Sequence, residues 1–168
     1  CSEFFWSSEK EHLNPVGETE HIKGLAQLSQ KNPTKTSISG IIGHANLLLG
    51  KDVNEVVERH IDIGGNLFKG IRHAGSWDPS DKINNSHHNP PRDMYLMKEF
   101  GEGVKALRNK SLVFEAWQYH HQLTQVAHLA RNNPDLVIVL DHFSGPLGVG
   151  SYATKKEEVY NNWKKDLK

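Results

Sequence analysis

The stretch from Ser111 to Gly148 alternates strand, helix and strand, and this alternation restricts the chain to folds with a parallel sheet. Leu112 to Trp117 is a mostly apolar run rich in β-forming residues, and Asp135 to Leu140 is a second. Between them, Leu123 to Asn132 carries apolar residues at helical spacing. Two strands joined through one helix form a right-handed βαβ unit, so both strands end at the same edge of the sheet.

The same order of strand and helix recurs upstream. Thr36 to Gly43 and Asn66 to Arg72 are predicted strands, with a helix between them that opens at Asp52 and ends at Gly64-Gly65. Further helices are predicted at Glu18 to Gln30, Met94 to Arg108 and Thr154 to Lys168. The repeat predicts an α/β fold. Because no G-x-G-x-x-G motif or phosphate loop occurs in the sequence, it favours a (β/α)8 barrel over a doubly wound sheet.

Polar residues follow every predicted strand. They are His44, Arg72, His73, His120, His121 and His142. Loops after parallel strands form the functional face, so we expect these side chains at one rim, together with the long polar loop from Ala74 to Arg92. Imidazole binds zinc-like ions and titrates near neutral pH, which predicts metal binding or proton transfer there.

Several of these residues have a second interpretation. Neighbours on a strand point to opposite faces, so only one of His120 and His121 can face the barrel interior, and His120 is preferred. Large aromatic residues at strand ends either line a pocket or pack in the core, which leaves two roles open for Trp77, Trp117 and Tyr119.

Other polar residues are equally open. Glu18 is either a carboxylate that stabilises a helix start or a member of the site, and Asp141 contacts either His142 or backbone amides. His87-His88 lies in a polar loop with no fixed direction, and His128 lies on a helical stripe, where a structural role is expected.

Composition excludes several classes of partner. Lys plus Arg is 20 and Asp plus Glu is 20, so the net charge is zero and nothing attracts nucleic acid or an anionic membrane. No apolar run of membrane-spanning length occurs in the sequence. Cys1 is the sole cysteine, which fits a reducing compartment. We therefore expect a cytoplasmic protein whose partner is a small-molecule substrate, with oligomeric state left open.

Five strings occur in order along the chain: PVGETEHIKG, SGIIGHANLLLG, NLFKGIRHAGSWD, FEAWQYHHQL and IVLDHFSGPLG. They resemble successive landmarks of the amidohydrolase-related family of metal-dependent TIM-barrel hydrolases, in its branch of fuconolactonase-like and pyrone-dicarboxylate lactonase-like enzymes. The resemblance implies that residues 1–168 form a single incomplete domain, with strands 2 or 3 to 6 of the barrel. An open barrel interior predicts exposed apolar strand residues such as Ile41, Val113 or Val139.

The resemblance also implies a site. His120 and His142 match the family's fifth-strand and sixth-strand histidines, which hold a divalent metal, zinc in the first place, or a catalytic proton. Arg72 matches an arginine able to hold a lactone or carboxylate oxygen. Contacts to substrate are expected from His73, Tyr119, Trp77 and His44.

The implied reaction is the opening of a lactone or similar ester-like bond, less readily an amide, by attack of water. The family's first-strand H-x-H pair and eighth-strand aspartate find no match in these residues, and H-A-N at His44 departs from the usual H-A-D. This fragment alone is therefore expected to be inactive. The alternative is a truncated relative that only binds a ligand or partner.

Overall fold

The computed structural model describes residues 4–32, 34, 36–86 and 89–168, and these form an α/β fold around one sheet. The sheet has four strands in the order β1-β2-β3-β4, and every neighbouring pair is parallel. The strands are β1 (Ile41–His44), β2 (Phe68–Arg72), β3 (Val113–Ala116) and β4 (Ile138–Leu140). The predicted fold class and parallel sheet are confirmed.

Five α-helices accompany the strands. They are α1 (Val16–Gln30), α2 (Val53–Gly64), α3 (Lys98–Asn109), α4 (Leu123–Asn132) and α5 (Lys156–Asp166). All five lie where helices were predicted, although α3 begins later because residues 94–96 form a separate 3-10 turn. The strands are shorter than predicted. β1 and β4 are edge strands with one neighbour each, so the length of that neighbour limits how many of their residues form strand hydrogen bonds.

The main core lies between the sheet and the helices. Phe114 and Ile71 from the strands pack there with Phe100 and Leu107 from α3, all fully buried. Gly103 permits the close approach of α3, because a Cβ at that position would lie 2.2 Å from the Leu47 carbonyl oxygen. This packing fixes the loop after β1, and with it the position of the strand ends.

The opposite face of the sheet is open beside β4. Ile138 packs towards the core, so its neighbours Val137 and Val139 project from the other face, where they are 60% and 40% exposed. The predicted exposure is therefore confirmed for Val139. It is wrong for Ile41, which is buried, and Val113 is half-buried. Among the residues described, no helix is long and apolar enough to cross a membrane.

Candidate active site

A cavity of about 700 Å³ lies at the carboxyl edge of the sheet. Strand register builds it, since His44 lies opposite Arg72 on the next strand, and Arg72 lies opposite Glu115. All three residues line the cavity. The parallel strands thus place the side chains of His44, Arg72 and Glu115 side by side in one wall of the cavity. This common edge was expected for His44 and Arg72.

Arg72 is held between two carboxylates. Its Nη2 lies 2.6 Å from Glu115 Oε2, and its Nε donates to the same oxygen at 2.9 Å. The Nε atom also lies 2.7 Å from Asp141 Oδ2, a contact whose angle makes it an ion pair rather than a hydrogen bond. Burial raises the pKa of Asp141, although Arg72 acts in the opposite direction. Asp141 therefore pairs with Arg72, whereas the sequence indicated His142 or backbone amides.

His44 is fixed through backbone contacts. Its Nδ1 lies 3.1 Å from the Arg72 carbonyl oxygen, so this nitrogen donates its N–H to that oxygen. The His44 carbonyl accepts a 2.9 Å hydrogen bond from Nε2 of His60, and Thr19 binds His60 Nδ1 at 2.8 Å. Burial lowers the pKa of His60 to about 4, so the His60 side chain that supports the His44 backbone is neutral near pH 7.

Glu18 has both of the positions that its sequence context left open, at a helix start and in the cavity lining. It lies in the first turn of α1, and it is half-buried in the cavity wall. Burial raises its pKa, so this carboxyl group holds its proton more tightly than an exposed glutamate does. A group of this kind is suited to acid-base chemistry.

The polar loop after β2 covers one side of the cavity. Ser76, Asn84, Asn85 and Ser86 line it, in agreement with the prediction for residues 74–92. Tyr119 donates a hydrogen bond to the Asn84 carbonyl, lines the cavity and also packs in a small hydrophobic cluster, so it has both positions that the sequence left open. His87 and His88 lie outside the described residues.

His120 and His121 lie in a separate cluster beyond the end of β3. Residues 120–122 form a 3-10 turn, so strand alternation does not apply and that argument for His120 was wrong. Their rings stack at 5.2 Å, and Tyr152 packs edge-on against His120. His121 Nε2 and the Tyr152 hydroxyl both bind Oδ2 of buried Asp78, at 3.0 and 2.7 Å.

Two properties of His120 within this cluster are typical of functional histidines: an unpaired ring nitrogen among the described contacts and a lowered pKa. It is buried, and its Nδ1 has no hydrogen-bond partner among the residues that the structure describes. Burial lowers its pKa, and the neighbouring His121 lowers it further, so the imidazole is neutral near pH 7 and keeps a lone pair.

His142 is an exposed residue in the turn that follows β4. Its ring centroid is 4.8 Å from that of Trp117, a residue that lines the cavity. Residues 142–145 all have positive φ, between 48° and 61°. Left-handed backbone at non-glycine residues is strained and concentrates at functional sites. The strand ends share one edge, but the described contacts of His120 do not include His142.

Two other predicted contacts lie outside the cavity lining. His73 is buried behind the sheet, where its ring packs 5.6 Å from Phe100 and Nδ1 accepts a hydrogen bond from the Leu47 amide. Trp77 stacks with Arg92 at 5.5 Å. Neither His73 nor Trp77 is among the residues that line the cavity.

The resemblance predicts a divalent metal held by His120 and His142. Within the described part of the chain, no group of three or more His, Cys, Asp or Glu side chains is arranged to hold an ion. His120 and His142 would supply two ligands, whereas catalytic zinc sites use about three protein ligands. The divalent ion therefore stays a prediction.

Glu115 was missed by the sequence analysis, although a signal for it exists. Alternation along β3 puts residue 115 on the same face as Trp117, and an acidic residue within an apolar strand needs a partner. That partner is Arg72, which the next strand places directly opposite. Pairing of adjacent strands was therefore the missing information.

Comparison with known proteins supports the fold. No family model matches the chain. A relative from Sinorhizobium fredii (strain NBRC 101917 / NGR234), the uncharacterized protein y4mH, is 26% identical over 155 residues, which cover 92% of this chain and 46% of the relative. The crystal structure of an amidohydrolase from Burkholderia multivorans with bound HEPES matches 97% of this chain and 62% of its own, with a TM-score of 0.56 and 15% identity. The chain thus spans about half the length of the curated relative, and it shares the fold of that amidohydrolase.

Proposed function

We propose that the chain is part of a hydrolase of the amidohydrolase superfamily that opens a lactone or similar cyclic ester by attack of water. The observation that carries the proposal is the cavity at the carboxyl edge of the sheet, where Arg72 lies between Glu115 and Asp141 beside His44. The likeness in fold to an amidohydrolase agrees with it. The fuconolactonase-like and pyrone-dicarboxylate lactonase-like branch belongs to the proposal because of the five sequence landmarks.

The architecture proposed is a partial (β/α)8 barrel, with residues 1–168 in a single domain. Consecutive strands lie side by side and parallel, as they do in a barrel. Val137 and Val139 project from the face without helices, which in a closed barrel is the packed interior.

The roles of the residues follow from their chemistry. Arg72 donates an N–H to the carbonyl oxygen and stabilises the charge that develops there as water adds. Glu18, with its raised pKa, exchanges a proton with water or with the leaving oxygen. Tyr119 and His44 contact the substrate from the cavity wall.

His120 and His142 enter the proposal through the resemblance alone, as holders of a divalent metal, zinc first, or of a proton. Substrate contacts of His73 and Trp77 also enter the proposal from the sequence alone, since neither residue is among those that line the cavity. The proposed partner is a small molecule in the cytoplasm, with no role for nucleic acid or membrane.

A second candidate is a ligand-binding domain without catalysis. The arrangement of candidate ligands favours it, since no three His, Cys, Asp or Glu side chains cluster among the residues described. In that case the cavity binds a small molecule, and the reaction is absent.

One experiment separates the two candidates. The longest natural polypeptide that carries this sequence is assayed for proton release from a panel of lactones, with zinc, with manganese and after chelation. We expect turnover, and Arg72→Ala should lower kcat/KM about 10²-fold to 10³-fold because a preorganised donor is lost. Arg131→Ala, an exposed arginine on α4, is the control.

The 168-residue chain assayed alone should show no turnover. If the longest polypeptide opens no lactone under any condition, the hydrolase proposal fails and the binding domain is the better candidate. Equal loss of activity in the Arg72 and Arg131 variants would remove the assigned role of Arg72.

A further inference from the structure

We infer that Asp78 is a positioning residue for His120, because its buried carboxylate fixes the two aromatic rings that set the orientation of the His120 imidazole. The inference deepens the proposed function and rests on it in one respect, since it takes His120 as a group that holds a metal ion or a proton. Among the described residues, no hydrogen bond joins Asp78 to His120 itself. The carboxylate acts through neighbouring rings, unlike a carboxylate bonded directly to a functional histidine.

Asp78 is fixed by its own loop. Its side chain is 1% exposed, its backbone amide donates to Asn85 Oδ1 at 2.7 Å, and its Oδ1 accepts from the Ser80 amide at 2.9 Å. The second oxygen, Oδ2, accepts hydrogen bonds from His121 Nε2 at 3.0 Å and from the Tyr152 hydroxyl at 2.7 Å. A buried carboxylate needs such donors, so the same bonds that satisfy Asp78 also fix the two aromatic side chains.

The two rings contact His120 on different sides. The His121 ring stacks on it with a centroid distance of 5.2 Å and an interplanar angle of 10°, and the Tyr152 ring meets it edge-on at 5.4 Å and 86°. Each partner ring is bound to Asp78 at its polar end, so neither rotates independently of the carboxylate. The orientation of the His120 ring follows from theirs, because closely packed rings resist rotation into one another.

Hydrogen bonds of its own do not fix the His120 ring. The backbone amide of His120 donates to the Gly145 carbonyl at 3.3 Å, which anchors the main chain and leaves the side-chain torsions unrestrained. Its Nδ1 has no hydrogen-bond partner within the described part of the chain, whereas functional histidines are commonly oriented by a bond to one ring nitrogen. Packing against the rings that Asp78 holds therefore takes the place of that bond.

These contacts connect three strand ends next to the cavity. Asp78 lies in the loop after β2, His121 in the turn after β3, and Tyr152 in the 3-10 turn at residues 150–152 after β4. Tyr119, which lines the cavity, has its ring 6.2 Å from that of His121. Loss of the carboxylate should therefore change the orientation of side chains beside the cavity, and not only the stability of one loop.

The first test observes the orientation of His120 directly. The longest natural polypeptide that carries the sequence is prepared with isotopically labelled histidine rings, and the His120 resonances are assigned by their loss in His120→Ala. Ring currents of His121 and Tyr152 should displace these resonances from the positions of an unpacked histidine. Asp78→Asn, which keeps the shape but loses the charge, should move them back towards those positions or split them into several sets.

Two matched controls and a second variant accompany this measurement. Asp81→Asn alters an exposed aspartate of the same loop, and Tyr160→Phe alters an exposed tyrosine of α5, so both should leave the His120 resonances in place. Tyr152→Phe removes one hydrogen bond to Asp78 and keeps the ring, so it should shift the resonances less than Asp78→Asn does. It decides the same question if Asp78→Asn does not fold.

The second test is a double-mutant cycle, which separates positioning from a purely structural role. Asp78→Asn should lower kcat for the best lactone about 10-fold to 100-fold, the usual cost of losing a group that orients a functional histidine, with KM nearly unchanged. In the His120→Ala background the same change should have no further effect, because the group that Asp78 orients is already absent. A purely structural role would lower turnover by the same factor in both backgrounds.

The outcomes distinguish this inference from the proposed function. Unchanged His120 resonances in a folded Asp78→Asn protein overturn the inference, and so does an equal loss of turnover in both backgrounds. If no natural polypeptide that carries the sequence opens a lactone, the proposed function fails, whereas the resonances still decide whether Asp78 orients His120. Turnover together with unchanged resonances would keep the hydrolase and remove Asp78 from its site.

Discussion

The two halves of the sheet edge present their polar residues differently. At β1 and β2, His44 and Arg72 are the last residues of their strands, and both line the cavity. At β3 and β4, His120 comes four residues after Ala116 and His142 comes two residues after Leu140. Neither of these histidines is among the residues that line the cavity.

The difference shows how far strand geometry determines direction. A side chain within a strand is oriented by alternation and by hydrogen bonds to its neighbour, so its sequence position fixes its face. Residues beyond the strand follow the turn that comes next, which here is a 3-10 turn at 120–122 and a left-handed turn at 142–145. These turns depend on tertiary contacts such as the one between His121 and Asp78.

The largest expected effect tests whether the second half of the edge takes part in catalysis. In the longest natural polypeptide that carries the sequence, His120→Ala or His142→Ala should each lower lactone turnover by about 10²-fold to 10⁴-fold, the usual range for a lost proton-transfer group. His128→Ala should have no such effect, since His128 contacts Asn132 on the surface of α4. Near-native turnover of both variants would exclude these two histidines from the chemistry.

The next effect concerns the Asp78 cluster that holds the second half in place. Asp78→Ala removes a buried carboxylate that binds His121 and Tyr152, so the free energy of unfolding should fall by about 3 kcal/mol. Urea denaturation of the 168-residue chain measures it, with exposed Asp81→Ala as the control. A loss no greater than that of the control would mean that the cluster does not stabilise this half.

A third effect of similar size is the pH dependence of the free energy of unfolding, which arises from His60 beside the β1 and β2 half of the sheet edge. The folded pKa of His60 is about 4, below the value of about 6.5 expected in the unfolded chain. Between these values the unfolded chain binds a proton that the folded chain does not. Stability is therefore full above about pH 6.5 and falls towards pH 4 by up to about 3 kcal/mol.

The variant that tests this effect is His60→Gln, which should flatten the pH dependence measured by urea denaturation between pH 7 and 4. His12→Gln alters a partly exposed histidine beside Glu55 and serves as the control. An equally steep fall in stability in the His60→Gln protein would assign the pH dependence to other groups.

The fold was largely predictable because periodicity reports burial. The observed bounds of α4 are the ones predicted from its apolar residues at helical spacing. Gly65 ends α2, as predicted, with a positive φ that glycine adopts without strain. The strands were predicted too long. Apolar composition shows that a segment can be buried, but not how many of its residues find a partner on the next strand.

The site was predictable only where strand geometry controls it. His44 and Arg72 were placed correctly, and so was the polar loop after β2. The pairing of Arg72 with Glu115 and Asp141 was not, because it joins residues 43 and 69 positions apart in the sequence. Only the register between strands brings those side chains together.

The smallest expected effect concerns the left-handed turn that carries His142 away from the strand direction. Phe143 has φ of 53° and is 75% exposed, so glycine there relieves strain and loses little packing. Phe143→Gly should raise the free energy of unfolding by about 0.5 to 1 kcal/mol, after the entropy cost of glycine is subtracted from the strain of a left-handed residue. The contact from Trp163 Nε1 to the residue 143 carbonyl survives the change, since it uses the backbone.

The control for this turn is Val149→Gly, which replaces a residue that is 62% exposed in extended backbone with φ of −127°. Glycine relieves no strain there, so this variant should lose about 0.5 to 1 kcal/mol. Thermal unfolding of the 168-residue chain should therefore shift by about 2 °C in opposite directions for the two variants. If both variants lose stability equally, residues 142–145 are not held in a strained turn in solution. His142 would then be able to lie closer to the direction of β4, and the contrast between the two halves of the sheet edge would weaken.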